Sequence, residues 1–161
     1  SLNQVHPWAL VGRGNAYVKK QELKLAIFDF TAAINQGQNL LRAYYGRANA
    51  YGDLGEFDKA FAYYREAIRL EPRYAHIYTT RGTYYGELKQ FDKALAFFNE
   101  AIKISPKDVQ AYSNRSIAYG ETGRYKEAIA DAETALKLDP NYPQADDVRK
   151  SISEWKKRLK E

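Results

Sequence analysis

Residues that commonly carry metal or nucleophilic chemistry are scarce in this chain of 161 residues. It contains no cysteine, which excludes thiolate metal sites, cysteine nucleophiles and disulfides. The two histidines, His6 and His76, are far apart, and neither belongs to an HxxxH or HExxH pattern. No carboxylate pair, nucleophile with a base, or phosphate-binding loop recurs in the sequence. We therefore predict that the chain is not an enzyme and that it holds neither a metal nor a cofactor.

The charge of the chain is mixed rather than concentrated. The 25 basic and 20 acidic residues, which give a formal net charge of +5, are interleaved along the whole length. This pattern is typical of a solvated surface and does not favour nucleic acid. No segment approaches the roughly 20 apolar residues of a membrane span, and the first residues do not resemble a signal peptide. We expect no nucleic-acid or membrane partner, and the cellular location stays open with a slight preference for the cytoplasm.

A period of 34 residues organises the sequence. Three residue types show it, in the series Tyr17, Tyr51, Tyr85, Tyr119, the series Arg13, Arg47, Arg81, Arg115, and the series Ala26, Ala60, Ala94, Ala128. The period defines four units, 7–40, 41–74, 75–108 and 109–142, followed by residues 143–161. All five prolines lie at unit ends, where proline is compatible with the joints between helices. A fixed period of this length predicts a repeat architecture.

Two helices are predicted in each unit, whose residues we number as positions 1 to 34. Positions 4, 7, 8 and 11 have the i, i+3, i+4, i+7 spacing of one helix face. Positions 20, 24 and 27 form a second stripe, and a short turn separates the two. Small residues at positions 8, 20 and 27 allow close helix approach, while aromatic residues fill the space between helices. A hairpin of this size cannot bury its apolar face alone, so the units must stack into an all-α array.

These units resemble the tetratricopeptide repeat, whose 34-residue pattern Wx2LGx2Y…Ax3F…P is matched over residues 7–142. The resemblance implies a right-handed superhelical array, or α-solenoid, of four helix-turn-helix units in a single domain, 1–161. It also implies a capping helix over 143–161, where helical spacing is shown by Ala145, Val148, Ile152, Trp155 and Leu159. The family provides a scaffold, and the resemblance alone names no ligand.

The concave side of such an array is the expected ligand groove. Positions 2, 5, 6, 9, 12 and 13 lie on that side of the first helix, opposite its core stripe. Trp8 and Tyr45 are the main hot-spot candidates there, and the polar groove residues are suited to a peptide main chain. We select as candidate binding residues Trp8, Asn15, Arg42, Tyr45, Asn49, His76, Thr79, Thr83, Gln110, Ser113 and Asn114. Glycine at position 12 of three units either lets a ligand backbone come close or accommodates a neighbouring helix.

Acidic residues at position 13 favour a neutral or basic partner segment. Asp53, Glu87 and Glu121 occupy this position, against Lys19 in the first unit. The alternative is that these carboxylates are simply solvated near helix ends. The resemblance also suggests the carboxylate clamp, with which co-chaperone domains grip the acidic C-terminus of heat-shock proteins. No register of the four units supplies the permanent cations of that clamp, so we do not expect this function.

Arginine at position 7 departs from the family pattern, which favours leucine. The four residues Arg13, Arg47, Arg81 and Arg115 lie within the core stripe, so each stem should be buried. Each guanidinium is then expected to find a carboxylate or a helix carbonyl. We interpret the series as a structural ladder rather than a ligand site. The stretch Asn114-Arg115-Ser116 is similar to repeats that are common in bacterial array proteins.

The sequence favours a protein-interaction scaffold that binds a peptide or helical segment of a partner in its concave groove. The alternative is a structural role, in which the array is a segment of a larger tetratricopeptide protein or self-assembles into a homo-oligomer through its N-terminal repeat. Trp8, Val11 and Val18 would provide that surface unless residues 1–6 or a further repeat cover them. Because the sequence lacks even an initiator methionine, we expect the chain to have been cut from a longer one.

Overall fold

Helices dominate the computed structural model, which describes residues 6–37 and 40–161. Within these ranges the helices are α1 (Pro7–Lys19), α2 (Leu23–Asn35), α3 (Leu41–Asp53), α4 (Phe57–Leu70), α5 (Ala75–Glu87), α6 (Phe91–Ile104), α7 (Val109–Glu121), α8 (Tyr125–Leu138) and α9 (Ala145–Arg158). No strand occurs among the described residues, and the predicted all-α class is confirmed. Across the same ranges, every helix is too short or too polar to cross a membrane.

The chain divides into two compact units, each larger than one 34-residue repeat, with the boundary between Arg73 and Tyr74. The first unit contains α1 to α4, and the second contains α5 to α9. Consecutive helices pack as hairpins, α1 with α2 and α3 with α4 in the first unit, and α5 with α6 and α7 with α8 in the second. Within each unit the two hairpins pack together, through α2 and α3 or through α6 and α7. That the whole range 1–161 acts as one domain stays a prediction.

The same turn ends the first helix of every hairpin. Position 15 has a left-handed backbone, with φ values of 61° at Gln21, 77° at Gly55, 55° at Lys89 and 74° at Gly123. In each turn the N–H of the next residue donates to the carbonyl of position 11 over 2.9 Å. This bond closes the helix C-terminus as in a Schellman motif. Glycine adopts the left-handed conformation without a steric penalty, whereas Gln21 and Lys89 adopt it at a cost.

Small residues let the helices approach, as the sequence predicts. The alanines of positions 20 and 27 are fully buried in all four hairpins: Ala26, Ala33, Ala60, Ala67, Ala94, Ala101, Ala128 and Ala135. Phe30 of α2 lies against glycines of two neighbouring helices, because a Cβ added at Gly14 or Gly46 would be 2.8 or 2.5 Å from its ring. Phe98 of α6 contacts Gly82 in the same way. In the first and third repeats, glycine at position 8 therefore matches phenylalanine at position 24 in size, and Gly46, at position 6 of the second repeat, accommodates the same Phe30 ring.

The last helix covers α8 at the end of the second unit. α9 packs on α8 and buries an apolar stripe that contains Ala145, Val148, Ile152 and Trp155. Its basic residues, such as Lys156 and Arg158, are exposed. Trp155 also lies against Gly120 near the end of α7. The predicted capping helix is confirmed, and the helix itself spans Ala145–Arg158 within the predicted segment.

Two of the position 7 arginines form ion pairs inside their own hairpins. Arg13 donates to Asp29 through Nε and Nη2 at 2.6 and 2.7 Å, and Arg115 donates to Asp131 in the same bidentate way at 2.6 and 2.7 Å. The hydrogen bonds to Asp29 and its charge raise the pKa of Arg13. Burial lowers the pKa of Arg115, but the bonds to Asp131 and its charge outweigh this effect, so the pKa is raised. For this pair of arginines the predicted carboxylate partners are confirmed.

Aromatic rings contact the other two position 7 arginines. The Arg47 guanidinium carbon lies 3.6 Å from the centre of the Tyr63 ring, and that of Arg81 lies 4.4 Å from the centre of the Phe97 ring. Position 23 is aspartate in the first and last hairpins and aromatic in these two. Arg47 also donates to the Thr31 hydroxyl at 3.1 Å. For Arg47 the prediction of a carboxylate or carbonyl is therefore wrong, because a cation–π contact and a hydroxyl take their place.

Candidate binding site

The predicted groove residues of the first compact unit, which contains α1 to α4, differ in accessibility. Three of them are exposed: Trp8, Asn15 and Arg42. Tyr45 and Asn49 are only half-buried, and both contact the fully buried Tyr64. The Tyr64 hydroxyl donates to the Asn49 side chain, and the ring centres of Tyr45 and Tyr64 are 6.0 Å apart. Tyr45 and Asn49 therefore support the packing of their hairpin as well as forming part of its surface.

Thr79 and Ser113 are buried and do not reach a groove. Only 1% of the surface of each residue is exposed. The Thr79 hydroxyl donates to Asp108 Oδ2 at 2.8 Å, and the Ser113 hydroxyl accepts from the Tyr142 hydroxyl at 3.1 Å. In both repeats position 5 thus contacts position 34, the last residue of the repeat. The prediction that these two side chains line the groove is wrong, because that neighbour covers them.

Three other predicted residues form a hydrogen-bonded chain from α7 to α5. Gln110 Nε2 donates to Asn114 Oδ1 at 2.8 Å, and Asn114 Nδ2 donates to the Thr83 hydroxyl oxygen at 2.8 Å. The Thr83 hydroxyl donates in turn to the Thr79 carbonyl at 3.0 Å. These hydrogen bonds fix the orientation of the Gln110 and Asn114 side-chain amides. The remaining predicted residue, His76, is exposed near the start of α5.

A pocket opens beside this chain of hydrogen bonds, between α5 and α7. Its volume is about 350 Å³, which is within the range of ligand-binding clefts. Thr83 and Asn114 belong to its polar wall, and the buried Phe98 lies on its apolar side. Gly86 leaves the pocket open on α5, because a Cβ added there would meet nothing within 4 Å. Gly120, at the same position of the next repeat, instead accommodates Trp155 of a neighbouring helix.

The candidate residues selected from the sequence did not include the apolar lining of this pocket. Ile117, Phe91 and Ala118 line it, and Ile117 is nearly half exposed although it is apolar. Ile117 occupies position 9, which helix geometry places on the groove side. An apolar residue at that position is the signal by which the site could be found. Phe98 gives no such signal, because position 24 predicts a core residue.

Carboxylates outnumber ammonium groups at the rim of the pocket. Glu87 and Glu121 are the last residues of α5 and α7, and Lys89 lies in the turn that follows α5. The C-terminal ends of helices carry partial negative charge, which adds to that of the two side chains. The N-terminus of α6, which begins at Phe91, offsets part of this charge. The rim therefore favours a positive group on a ligand.

In the described ranges, no group of three or more His, Cys, Asp or Glu side chains is arranged to hold a metal ion.

Repeated helical hairpins, with one type of turn and one pattern of small and aromatic residues, define an α-solenoid protein. Models of the tetratricopeptide repeat match residues 41–74, 75–108 and 109–142, which are three of the units that the 34-residue period defines. These matches cover more than half of the chain, and the chain therefore belongs to the tetratricopeptide repeat family. No protein of curated function matches it in sequence.

Several solved structures have a similar fold. The TPR domain of Arabidopsis OM64 is 32% identical, with 71% of this chain and 94% of that chain covered and a TM-score of 0.66. The first TPR of Spaghetti (RPAP3), bound to the HSP90 peptide SRMEEVD, is 25% identical, with 75% and 94% covered and a TM-score of 0.70. Pseudomonas aeruginosa pilF is 18% identical, with 96% and 69% covered and a TM-score of 0.85. The last likeness concerns the fold alone.

Proposed function

We propose that this chain is a non-enzymatic scaffold that binds a peptide or helical segment of a partner protein in the groove of its repeats. Its family supports the general role of a protein-interaction scaffold. The observation that carries the specific proposal is the open pocket beside the hydrogen-bonded chain of Gln110, Asn114 and Thr83. Amide and hydroxyl groups are suited to a peptide main chain, and the apolar side of the pocket is suited to a side chain.

The partner segment in this proposal is neutral or basic. Glu87 and Glu121 at the rim attract cations and repel carboxylates. The HSP90 peptide in the Spaghetti complex, SRMEEVD, has three acidic residues and one basic residue. An acidic segment of that kind is disfavoured here, in agreement with the missing cations of the carboxylate clamp.

A matched pair of surface variants tests the proposal. Ile117→Glu places a charge in the pocket, whereas Leu25→Glu makes a similar change at a helical site outside it, and the two residues are 46% and 48% exposed. Surface changes of this kind alter the free energy of unfolding by about 0.5 kcal/mol or less. We expect peptides selected from a random display library on the wild-type protein to bind Ile117→Glu at least about 10-fold more weakly. Equal peptide binding by the wild type and both variants would refute this pocket as the binding site.

Self-assembly is the second candidate function, and Trp8 is the observation that favours it. Trp8 is 52% exposed on α1, and an exposed large aromatic residue is a frequent component of interaction surfaces. Val11 is buried and Val18 is half-buried, so the available surface is narrower than the sequence suggests. The suggested cover by residues 1–6 falls, apart from His6, outside the described residues. Light scattering over a range of concentrations tests this candidate, since Trp8→Ala should then turn an oligomer into a monomer.

A further inference from the structure

Trp155 and Gly120 show how this fold fills the space between the first helix of a repeat and the helix that follows in the next segment. Gly120 is at position 12 of the fourth repeat, and Trp155 is at position 13 counted from residue 143. A Cβ added at Gly120 would lie 2.5 Å from Trp155 Cζ2 and 2.6 Å from its Nε1, so the indole lies directly against the glycine. The indole is buried there. A flat aromatic ring is thus the group that this glycine accommodates.

One repeat earlier, the same two positions leave a cavity. Gly86 and Glu121 precede Gly120 and Trp155 by 34 residues each. A Cβ added at Gly86 would meet nothing within 4 Å, and both Gly86 and Glu121 line the pocket of about 350 Å³. The pocket therefore has the same glycine surface on α5. At the position that Trp155 occupies in the last segment, the fourth repeat has the carboxylate of Glu121.

We infer that this pocket receives an aromatic side chain of the partner segment, with an adjacent lysine or arginine of that segment facing Glu87 and Glu121. The inference rests on the proposed function and specifies the chemistry of its ligand. The incoming ring makes at Gly86 the contact that Trp155 makes at Gly120, and Phe98 and Ile117 supply apolar surface beside it. The two rim carboxylates attract the cation of the segment.

The test uses N-acetyl-Trp-Lys-amide as the probe and three variants of the full chain. Glu121→Trp recreates the residue pair of the following segment, so its own indole fills the pocket. Gly86→Leu fills the pocket from the opposite helix, which keeps the test independent of how the new indole packs. Glu100→Trp is the control, because it makes the identical change at an exposed site on α6 outside the pocket. Circular dichroism and melting temperatures establish that each variant is folded.

Chemical-shift titration of isotope-labelled protein gives the dissociation constants. We expect the wild type and Glu100→Trp to bind the probe with a Kd on the order of 1 mM, with the largest shifts at the amides of Gly86 and Ile117. Both filled variants should bind at least about 10-fold more weakly. Replacing the lysine of the probe by glutamate should weaken binding to the wild type by about 3-fold at low salt, and by less at high salt. Equal affinities across the four proteins, or for the two probes, overturn the inference.

Selection from a peptide display library separates this inference from the proposed function. In one outcome, the wild type selects peptides that lack an aromatic–basic pair, and these peptides also bind the Glu121→Trp variant. That outcome refutes the inference and leaves the proposed function of peptide binding intact. If the wild type selects no peptide at all, the proposed function fails and the inference falls with it. If the occupant is a second copy of this chain, the wild type is a dimer in light scattering and Glu121→Trp is a monomer, which also overturns the inference.

Discussion

Two glycine-to-alanine changes, 34 residues apart, test the packing difference between the pocket and the capped end. Gly86 and Gly120 occupy the same helix position in consecutive repeats, so both changes alter helix propensity by the same amount. Their surroundings differ. At Gly86 the added methyl group enters open space, whereas at Gly120 it would lie 2.5 Å from Trp155 Cζ2 and 2.6 Å from two further indole atoms. The difference between the two variants therefore isolates the steric effect.

The expected magnitudes follow from these contacts. Replacing glycine by alanine within a helix gains about 0.5–1 kcal/mol, so Gly86→Ala should raise the free energy of unfolding by up to about 1 kcal/mol. At Gly120 the rigid indole has to move, and overpacking of this kind costs about 1–3 kcal/mol. The two variants should thus differ by about 1–3 kcal/mol, or roughly 2–12 °C in melting temperature for a chain of this size.

Thermal and urea unfolding, followed by circular dichroism, measure this difference. Tryptophan fluorescence adds a local readout, because Gly120→Ala should alter the environment of Trp155 while Gly86→Ala leaves it unchanged. Equal melting temperatures for the two variants, or a loss of stability at Gly86, would refute the reasoning, since open space at Gly86 is the basis of both the pocket and the expected gain.

Three further predictions concern the turns, the arginine pairs and the last helix. Lys89→Gly should raise the free energy of unfolding by up to about 1 kcal/mol because φ is 55° there, and Gly123→Lys should lower it by a similar amount because φ is 74°; changes of the same sign in urea unfolding would contradict this. Asp131→Ala should cost about 3 kcal/mol, because it leaves the Arg115 side chain, only 17% exposed, without its carboxylate. Asp29→Ala should cost less, because the Arg13 side chain is 50% exposed and water can solvate it, and thermal unfolding of the two variants compares the losses. Deleting residues 143–161 should expose the apolar surface that α9 covers and cause aggregation or earlier melting, and a truncated chain that stays monomeric and equally stable would show that α9 is not a cap.

The helices and their core could be predicted from the sequence, because every repeat meets the same requirement for burial. Ala60 and Ala94 recur where two helices touch, and glycines such as Gly55 recur where a turn needs a positive φ. These requirements act within one hairpin, so they leave a periodic signal in the sequence. Lys89 shows the limit of that signal, since it takes the left-handed turn without being glycine.

The candidate site was harder to predict, because accessibility depends on segments that a helical wheel does not contain. Position 5 lies on the groove side of its own helix, yet Thr79 and Ser113 are covered by Asp108 and Tyr142. The wheel gives the direction of a side chain from its own axis, and it does not include the segment that leads into the next helix. The same reason explains the pocket, since whether Gly86 is open depends on the residue at position 13 one repeat later.

The positive charge of the chain and the negative rim of the pocket are compatible, because the position 7 arginines are engaged in contacts with residues of α2, α4, α6 and α8. Carboxylates hold Arg13 and Arg115, and aromatic rings contact Arg47 and Arg81. A guanidinium paired with a carboxylate has its charge largely compensated, and one that lies against a ring is sterically covered on that face. The sign of the charge at the pocket is set instead at the helix ends, where position 13 carries glutamate in the third and fourth repeats. The net charge of +5 therefore does not indicate the charge of the partner segment. The acidic rim of the pocket favours a basic segment although the protein as a whole is basic.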